Sequence, residues 1–229
     1  MISSKKSKTL PDFSEEKKLW KKSFRVVIGV DEVGRGSWVG PLVVAACAFS
    51  QSGKIQIEKL GIDDSKALKT RHREKLSELI KKHCLGWSIG EVGVGTINRI
   101  GVGKATNVAM RKAVGSLFKK LNHGRTSPQK TFVLIDAFYI RYLRGLGLKN
   151  QKAIIHGDEK SISIAAASIL AKVYRDKLLR GLAKKHPQYR WGRNKGYGTK
   201  EHQGAILKYG ITKLHRKKFV ETFLKKVDF

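Results

Sequence analysis

FRVVIGVDEV (Phe24–Val33), GRGSWVGP (Gly34–Pro41) and LVVAACAF (Leu42–Phe49) follow one another without a break, and the rest of the chain organises around them. Val and Ile cluster in the first run, the pattern of a buried strand, expected over roughly residues 25–32. Leu42–Phe49 reads as a second strand, and the short Gly/Pro connection predicts an antiparallel hairpin. Downstream, Leu76, Leu79, Ile80 and Cys84 recur at helical spacing between Thr70 and Cys84. Trp87–Val92 alternates as a third strand, and Met110, Val114, Leu117 and Leu121 share one face of a helix over Thr106–Leu121. TFVLIDAF (Thr131–Phe138) is a strongly buried strand and KAIIHG (Lys152–Gly157) a shorter one. Over Ser163–Lys184, Ala167, Leu170, Ala171, Tyr174, Leu178 and Leu182 step by three and four along one helical stripe. This order predicts an α/β fold: a mixed β-sheet flanked by helices.

Three regions are expected. Residues 1–23 read as a basic, flexible leader with a short helix over Glu15–Lys22, and residues 24–184 as the folded domain. Residues 185–229 read as a C-terminal helical extension packed on it, interrupted at Gly192–Gly198 and near Gly210. A chain of 229 residues, 41% hydrophobic, suffices for one sizeable core. Lys and Arg number 48 against 18 acidic residues, a formal net charge of +30. Solubility needs a net charge of only about 2–8, so the excess points to a polyanionic partner, nucleic acid before a membrane surface. No apolar run approaches the ~20 residues of a membrane span, and the N-terminus lacks a signal-peptide core. Cys47 and Cys84 stand apart from any CxxC spacing and read as core or half-buried thiols of a reducing compartment. A cytoplasmic monomer without an obligate protein partner is expected.

In so basic a chain the acids attached to apolar strands are informative. Asp31 and Glu32 end the first strand, Asp136 ends a later one, and Asp158 follows KAIIHG directly. Oxygen ligands gathered at one sheet edge suit hard cations such as Mg²⁺ or Mn²⁺, and a pair of cations can serve phosphodiester cleavage. Neighbouring residues on a regular strand point to opposite faces, so Asp31 and Glu32 do not enter one pocket from ideal geometry. Each carboxylate alone also reads as a cap; all four being incidental conflicts with the cost of burying unpaired charge. A non-catalytic basic nucleic-acid-binding protein is the rival reading, and it leaves these acids unexplained.

VIGVDEVGRGSWVGPLVVAA, DDSKAL (Asp63–Leu68), VLIDAF, GDEKSISIAAASILAKVYRD (Gly157–Asp176) and KGYGTKEHQGAILKYGITKLHRKKF (Lys195–Phe219) together resemble the ribonuclease HII family. The matched segments run in the family's order from Arg25 to Phe219. The resemblance implies an RNase H-like fold and a two-metal site, carried over onto Asp31, Glu32, Asp136 and Asp158. It implies cleavage of the RNA strand of RNA–DNA hybrids and incision at single ribonucleotides embedded in duplex DNA, leaving a 3′-hydroxyl. A DNA nuclease of the same superfamily is the alternative. Ser37-Trp38 replaces the family's usual Pro-Leu pair, which predicts a looser or reshaped turn, and Ala137 stands where a glycine often follows the third carboxylate.

For the substrate, Gly34 and Gly36 let backbone approach a sugar closely, where a bond to the 2′-OH separates RNA from DNA. Arg35 offers a phosphate fork. The spacing GxGxxxG over Gly34–Gly40 departs from the dinucleotide fingerprint GxGxxG. The resemblance assigns Gly34, Arg35 and Gly36 to ribose recognition and Tyr197 to the ribonucleotide–deoxyribonucleotide junction. Ser65, Lys66 and Arg175 are candidate phosphate contacts, and Lys172 is expected to pair with Asp176 at i,i+4. His202, His215 and Arg216 either brace the Tyr197 loop or touch phosphates.

Overall fold

β1 (Val26–Val33) runs through the middle of a five-stranded sheet. On one side it pairs antiparallel with β2 (Leu42–Phe49), which pairs antiparallel with β3 (Gly86–Val92). On the other it pairs parallel with β4 (Thr131–Asp136), and β4 with β5 (Gln151–Ile154), giving the order β3-β2-β1-β4-β5. The computed structural model describes residues 10–53, 57, 58, 60–62, 68–122 and 130–227. The expected hairpin and mixed sheet are both present.

Both faces of the sheet are covered, which is why β1 and β2 read as continuous apolar runs. Val26, Ile28 and Val30 face a core completed by Met110, Val114 and Leu117 of α4 (Val102–Asn122). Val27 and Leu134 face the other core, against Ile164, Ala167 and Ala171 of α5 (Ile162–Lys185). Two glycines set these approaches. A Cβ on Gly29 would lie 2.0 Å from the Ser163 carbonyl carbon, and one on Gly90 would lie 2.1 Å from the Ala109 oxygen. α2 (Thr70–His83) packs beside α5.

Several expected boundaries shift for identifiable reasons. The helix expected over Thr106–Leu121 is α4, which begins four residues earlier at Val102, and a separate short helix, α3 (Val94–Ile100), precedes it, parted from it at Gly101 with φ +78°. The stripe expected along α5 fails as an account of the helix. Ile162–Ala171 is buried on every side, and the second half buries Arg175, Asp176 and Leu179 while Tyr174 is exposed. A helix enclosed by sheet and neighbours has no polar face to reveal a period.

The expectation of a flexible leader up to residue 23 does not hold for residues 10–23. α1 (Ser14–Lys21) places Leu19 and Trp20, with Phe13 before them, in the same core as Val27 and Ala167. Glu16, fully buried, accepts hydrogen bonds from Ser161 Oγ (2.6 Å), Ser163 Oγ (2.7 Å) and the Ser163 amide (2.9 Å). Burial pushes its carboxyl up, against those bonds. Five lysines and arginines around the helix hid three apolar anchors.

α6 (Trp191–Asn194), α7 (Lys200–Tyr209) and α8 (Lys217–Leu224) form the C-terminal region. Tyr189, Trp191, Ile206 and Val220 join Val39 and Leu179 in a third cluster, so this region packs on the end of α5. Among the described residues no helix is long and apolar enough to cross a membrane.

Candidate active site

The last paired rung of the two central parallel strands is Val30 with Ile135. One step further along each strand stand Asp31 and Asp136. Alternation puts Asp31 with Val27 and Asp136 with Leu134, on the α5 face of the sheet, so the two carboxylates are lateral neighbours. Asp158 arrives from the helical turn Gly157–Glu159 between β5 and α5 and is buried. The field at Asp31 shows the convergence. Burial, then the charge of Glu32, with further contributions from Asp136 and Asp158, holds its carboxyl well above the usual range, opposed by a Ser168 hydrogen bond.

Glu32 leaves β1 on the opposite face, as strand geometry requires, yet it lines the same cleft because the sheet ends there. Its Oε1 lies 3.8 Å from Arg35 Nη1. Asp31 Oδ1 accepts the Glu32 amide (2.7 Å), and Asp136 Oδ1 accepts the Gly157 amide (2.7 Å), so backbone groups aim both aspartates. The cleft, about 550 Å³, is lined by Asp31, Glu32, Asp136, Lys172, Lys195 and Tyr197 among others. Asp158 acts on it from behind, through charge.

Among the described residues no three His, Cys, Asp or Glu side chains are drawn into a closed ligand shell. The donors are oxygen only, and burial followed by repulsion from the neighbouring acids raises Asp31; a divalent cation offsets both. Asp31, Glu32 and Asp136, with Asp158 close behind, therefore fit Mg²⁺ or Mn²⁺ in chemistry.

Ala137 takes φ +62°, the left-handed region, immediately after Asp136. That conformation costs a residue with a Cβ about 1–2 kcal/mol. Ala137→Gly is expected to raise stability by about 1 kcal/mol in urea denaturation; an unchanged midpoint would mean the strain is relieved elsewhere.

The Gly34–Gly36 turn is held from beneath by two buried arginines. Arg175 donates to the carbonyls of Pro41 (3.1 Å), Val39 (2.9 Å) and Lys195 (3.1 Å). Arg216 donates to those of Gly34 (2.7 Å), Arg35 (3.0 Å) and Gly40 (3.1 and 3.0 Å). Both are 0% exposed. The expectation that Arg175 grips a phosphate is therefore corrected: its donors are spent on carbonyls, and its Nε lies 2.1 Å from where a Gly34 Cβ would sit. Gly34 has φ +85°, so glycine is required there twice over. Gly36 is exposed and faces Tyr197, whose Cε1 is 4.0 Å from a Cβ built on it.

Of the looser or reshaped turn expected at Ser37-Trp38, the reshaped one is observed, and the region is tightened. Ser37 Oγ is within bonding distance of the Gly196 (2.9 Å) and Val39 (3.0 Å) carbonyls, and the Trp38 amide donates to Gly196 (2.8 Å). The indole fills the space beside Gly198, 2.2 Å from where a Cβ would stand. The turn and the Tyr197 loop are thereby latched together.

Histidines complete the bracing. His215 Nδ1 accepts the Thr212 amide (2.9 Å), leaving its proton on Nε2, directed at His202 Nε2 (3.3 Å). That nitrogen also accepts Trp191 Nε1–H (3.1 Å), so His202 donates from Nδ1 to the Tyr197 carbonyl (2.9 Å). Burial lowers both, His215 to about 4, and both are neutral braces. Of the two readings open for His202, His215 and Arg216, bracing is the one their burial supports.

Lys172 pairs with Asp176 (2.9 Å), as expected, and Arg73 joins at 3.6 Å. Ser168 and Lys195 line the cleft and were not anticipated, although Lys195 belongs to the quoted KGYGT run. Ser65 and Lys66 lie outside the described residues.

A parallel-centred mixed sheet whose strand ends deliver acids into a cleft of an otherwise strongly basic chain defines the class of RNase H-type nucleases. A family model described as Ribonuclease HII matches residues 28–222. The ribonuclease HII of Caldanaerobacter subterraneus subsp. tengcongensis is 45% identical over 210 residues, 92% of this chain and 80% of that one. Among solved structures, the ribonuclease HII of Archaeoglobus fulgidus, determined in complex with PCNA, aligns with TM-score 0.64 and 26% identity over 83% of this chain and 93% of its own. Bst-RNase HIII in complex with Mn²⁺ aligns with TM-score 0.67 at 19% identity, over 89% of this chain and 72% of its own, a likeness of fold. The chain belongs to the ribonuclease HII family and is an RNase H-type endoribonuclease.

Proposed function

We propose that this protein hydrolyses the RNA strand of RNA–DNA hybrids and incises 5′ of single ribonucleotides embedded in duplex DNA, leaving 3′-hydroxyl and 5′-phosphate ends. The observation that carries the reading is the lateral pairing of Asp31 and Asp136 at the end of the parallel strands, with Glu32 and Asp158 adding charge to the same point. Asp31, Glu32, Asp136 and Asp158 would hold two divalent cations, Mg²⁺ or Mn²⁺. Bound there, such ions supply an activated water and stabilise the leaving oxygen.

The chain's own groups do the rest. The Glu32 and Gly157 amides keep Asp31 and Asp136 aimed into the cleft. Gly36 offers close backbone approach to a 2′-OH, and Tyr197 stands across from it to meet the sugar beside the junction. Arg35, together with Ser65 and Lys66, is assigned to phosphates. The net charge of +30 supplies sequence-independent affinity that falls as salt rises. The reading places the protein in ribonucleotide removal during DNA replication and repair, in the cytoplasm. It works as a monomer without an obligate protein partner, while the PCNA complex of the Archaeoglobus relative makes an accessory partner of that kind compatible.

The test is incubation with a duplex carrying one ribonucleotide, beside all-DNA and all-RNA duplexes, with Mg²⁺ or Mn²⁺ and with EDTA. A single nick 5′ of the ribonucleotide, absent with EDTA, is expected. Binding without any metal-dependent product would favour a non-catalytic binding protein, and equal cutting of all-DNA duplex would favour a DNA nuclease.

A further inference from the structure

Between Asp136 and β5 the chain makes a loop whose residues divide sharply by exposure. Ile140 and Leu146 are buried in the core beneath α4, with Leu143 beside them. Gln151 brackets the loop from within: its Oε1 accepts the Ile140 amide (3.1 Å), and its Nε2 donates to the carbonyls of Ile140 (3.2 Å) and Leu146 (3.4 Å). Arg111 Nη1 holds the Arg141 carbonyl from α4 (3.2 Å). Against this anchored frame Phe138, Tyr139 and Tyr142 point outward, Tyr142 with 89% of its surface exposed.

Tyr142 also has φ +58°, unusual for a side chain with a Cβ. Fixed anchors below and a strained, outward aromatic above make a display, because a merely unpacked loop would relax both features. Three exposed aromatic rings within five residues otherwise have no favourable place in water.

These rings line a groove of about 930 Å³ together with Arg35, Lys104, Arg111 and Arg141. No acidic residue is among the described residues that line it. Arg35 links the groove to the neighbouring catalytic cleft: its guanidinium lies 4.6 Å over the Phe138 ring, which lines the groove, and 3.8 Å from Glu32, which lines the cleft. Phe138 is two residues past Asp136.

Cations interleaved with flat rings recognise a polyanion that presents flat faces. In a duplex the base faces are stacked on one another and closed to side chains; in an unpaired strand they are open. We infer that this groove binds an unpaired nucleic-acid strand continuing from the cleft, with Tyr142 and Phe138 stacking on its bases and Lys104, Arg111 and Arg141 meeting its phosphates. The inference deepens the proposed function: it adds to the duplex site a subsite for a single-stranded flank, such as a gap or displaced end beside the ribonucleotide.

Fluorescence anisotropy in EDTA measures it without any cleavage. The probes are a labelled dT oligomer of about ten nucleotides, within the span of such sites, and a blunt all-DNA duplex. Tyr142→Ala is expected to weaken binding of the dT oligomer about tenfold, the loss of one stacked base, and to leave the blunt duplex unchanged. Tyr142→Trp should retain the oligomer, since stacking needs a ring and no hydroxyl. Tyr209→Ala, which removes another exposed tyrosine, should change neither. Unaltered oligomer binding by Tyr142→Ala, or an equal loss for both probes, overturns the inference. Cleavage of the ribonucleotide-bearing duplex by the same wild-type preparation reports separately on the proposed function. Failure there, with the Tyr142 effect intact, counts against the endonuclease and not against the groove.

Discussion

Asp136→Asn is expected to lower metal-dependent cleavage by at least about 10³-fold, the scale on which removal of a central catalytic group acts, while leaving the protein as stable as before or more so. The amide is nearly isosteric with the carboxylate, and its oxygen can still accept the Gly157 N–H, so the local hydrogen bond survives. What disappears is one negative charge beside Asp31. The wild-type Asp31 carboxyl is held high by burial and by its acidic neighbours. Removing one of them relieves that repulsion, so the thermal midpoint should stay level or rise. Affinity for a hybrid measured in EDTA should not fall, since a negative group has left the cleft. An inactive variant that melts at or above the wild-type temperature distinguishes a sacrificed catalytic charge from a lost structural one. Undiminished cleavage would remove Asp136 from the mechanism.

Gly29→Ala should produce the largest loss of stability of any single methyl addition to the central strand. The added Cβ would fall 2.0 Å from the Ser163 carbonyl carbon and 2.4 Å from the Ile164 nitrogen, both backbone atoms of α5 and its start. Rotation of a side chain cannot relieve that clash, so helix and sheet must separate. Overpacking of a core typically costs about 1–3 kcal/mol, and a backbone collision belongs at or above the top of that range. Chemical denaturation should show a fall of about 3–5 kcal/mol or an unfolded protein. Gly115→Ala, at a helical glycine of α4 with open space around it, should instead gain roughly 0.5–1 kcal/mol from helix propensity. Equal effects of the two substitutions would mean that α5 is not clamped to β1 as described. Where Gly29→Ala folds, activity should also fall, because Ser168 of the displaced helix bonds Asp31.

What could be read from sequence follows a physical line. The buried strands and the four acids at their ends were legible because an uninterrupted apolar run is itself unusual, and a carboxylate attached to one more so. The difficulty of Asp31 and Glu32 pointing apart resolves through register, which no single strand reveals: Asp31 finds its lateral partner on β4, and Glu32 comes round the end of the sheet. From sequence Arg175 is misassigned, and Arg216 is left between bracing and phosphate contact, because their partners are distant in sequence. Arg175 reaches a carbonyl 134 residues away and Arg216 one 182 residues away, and nothing local separates an arginine bonded to carbonyls from one awaiting phosphate. α1 was hidden differently. Its apolar anchors are few, its surface is lysine-rich, and its buried acid, Glu16, resembles any exposed glutamate until Ser161 and Ser163 are placed beside it.

The latch between Ser37-Trp38 and the Tyr197 loop has a mechanical consequence. In the proposed function Gly36 and Tyr197 serve as the jaws of a caliper whose opening is preset by guanidinium groups and an indole wedged behind it. A preset gauge does not close on what it measures. The work of fitting falls on the nucleic acid, so helices that already have the required sugar pucker and groove width, or that bend cheaply, are admitted first.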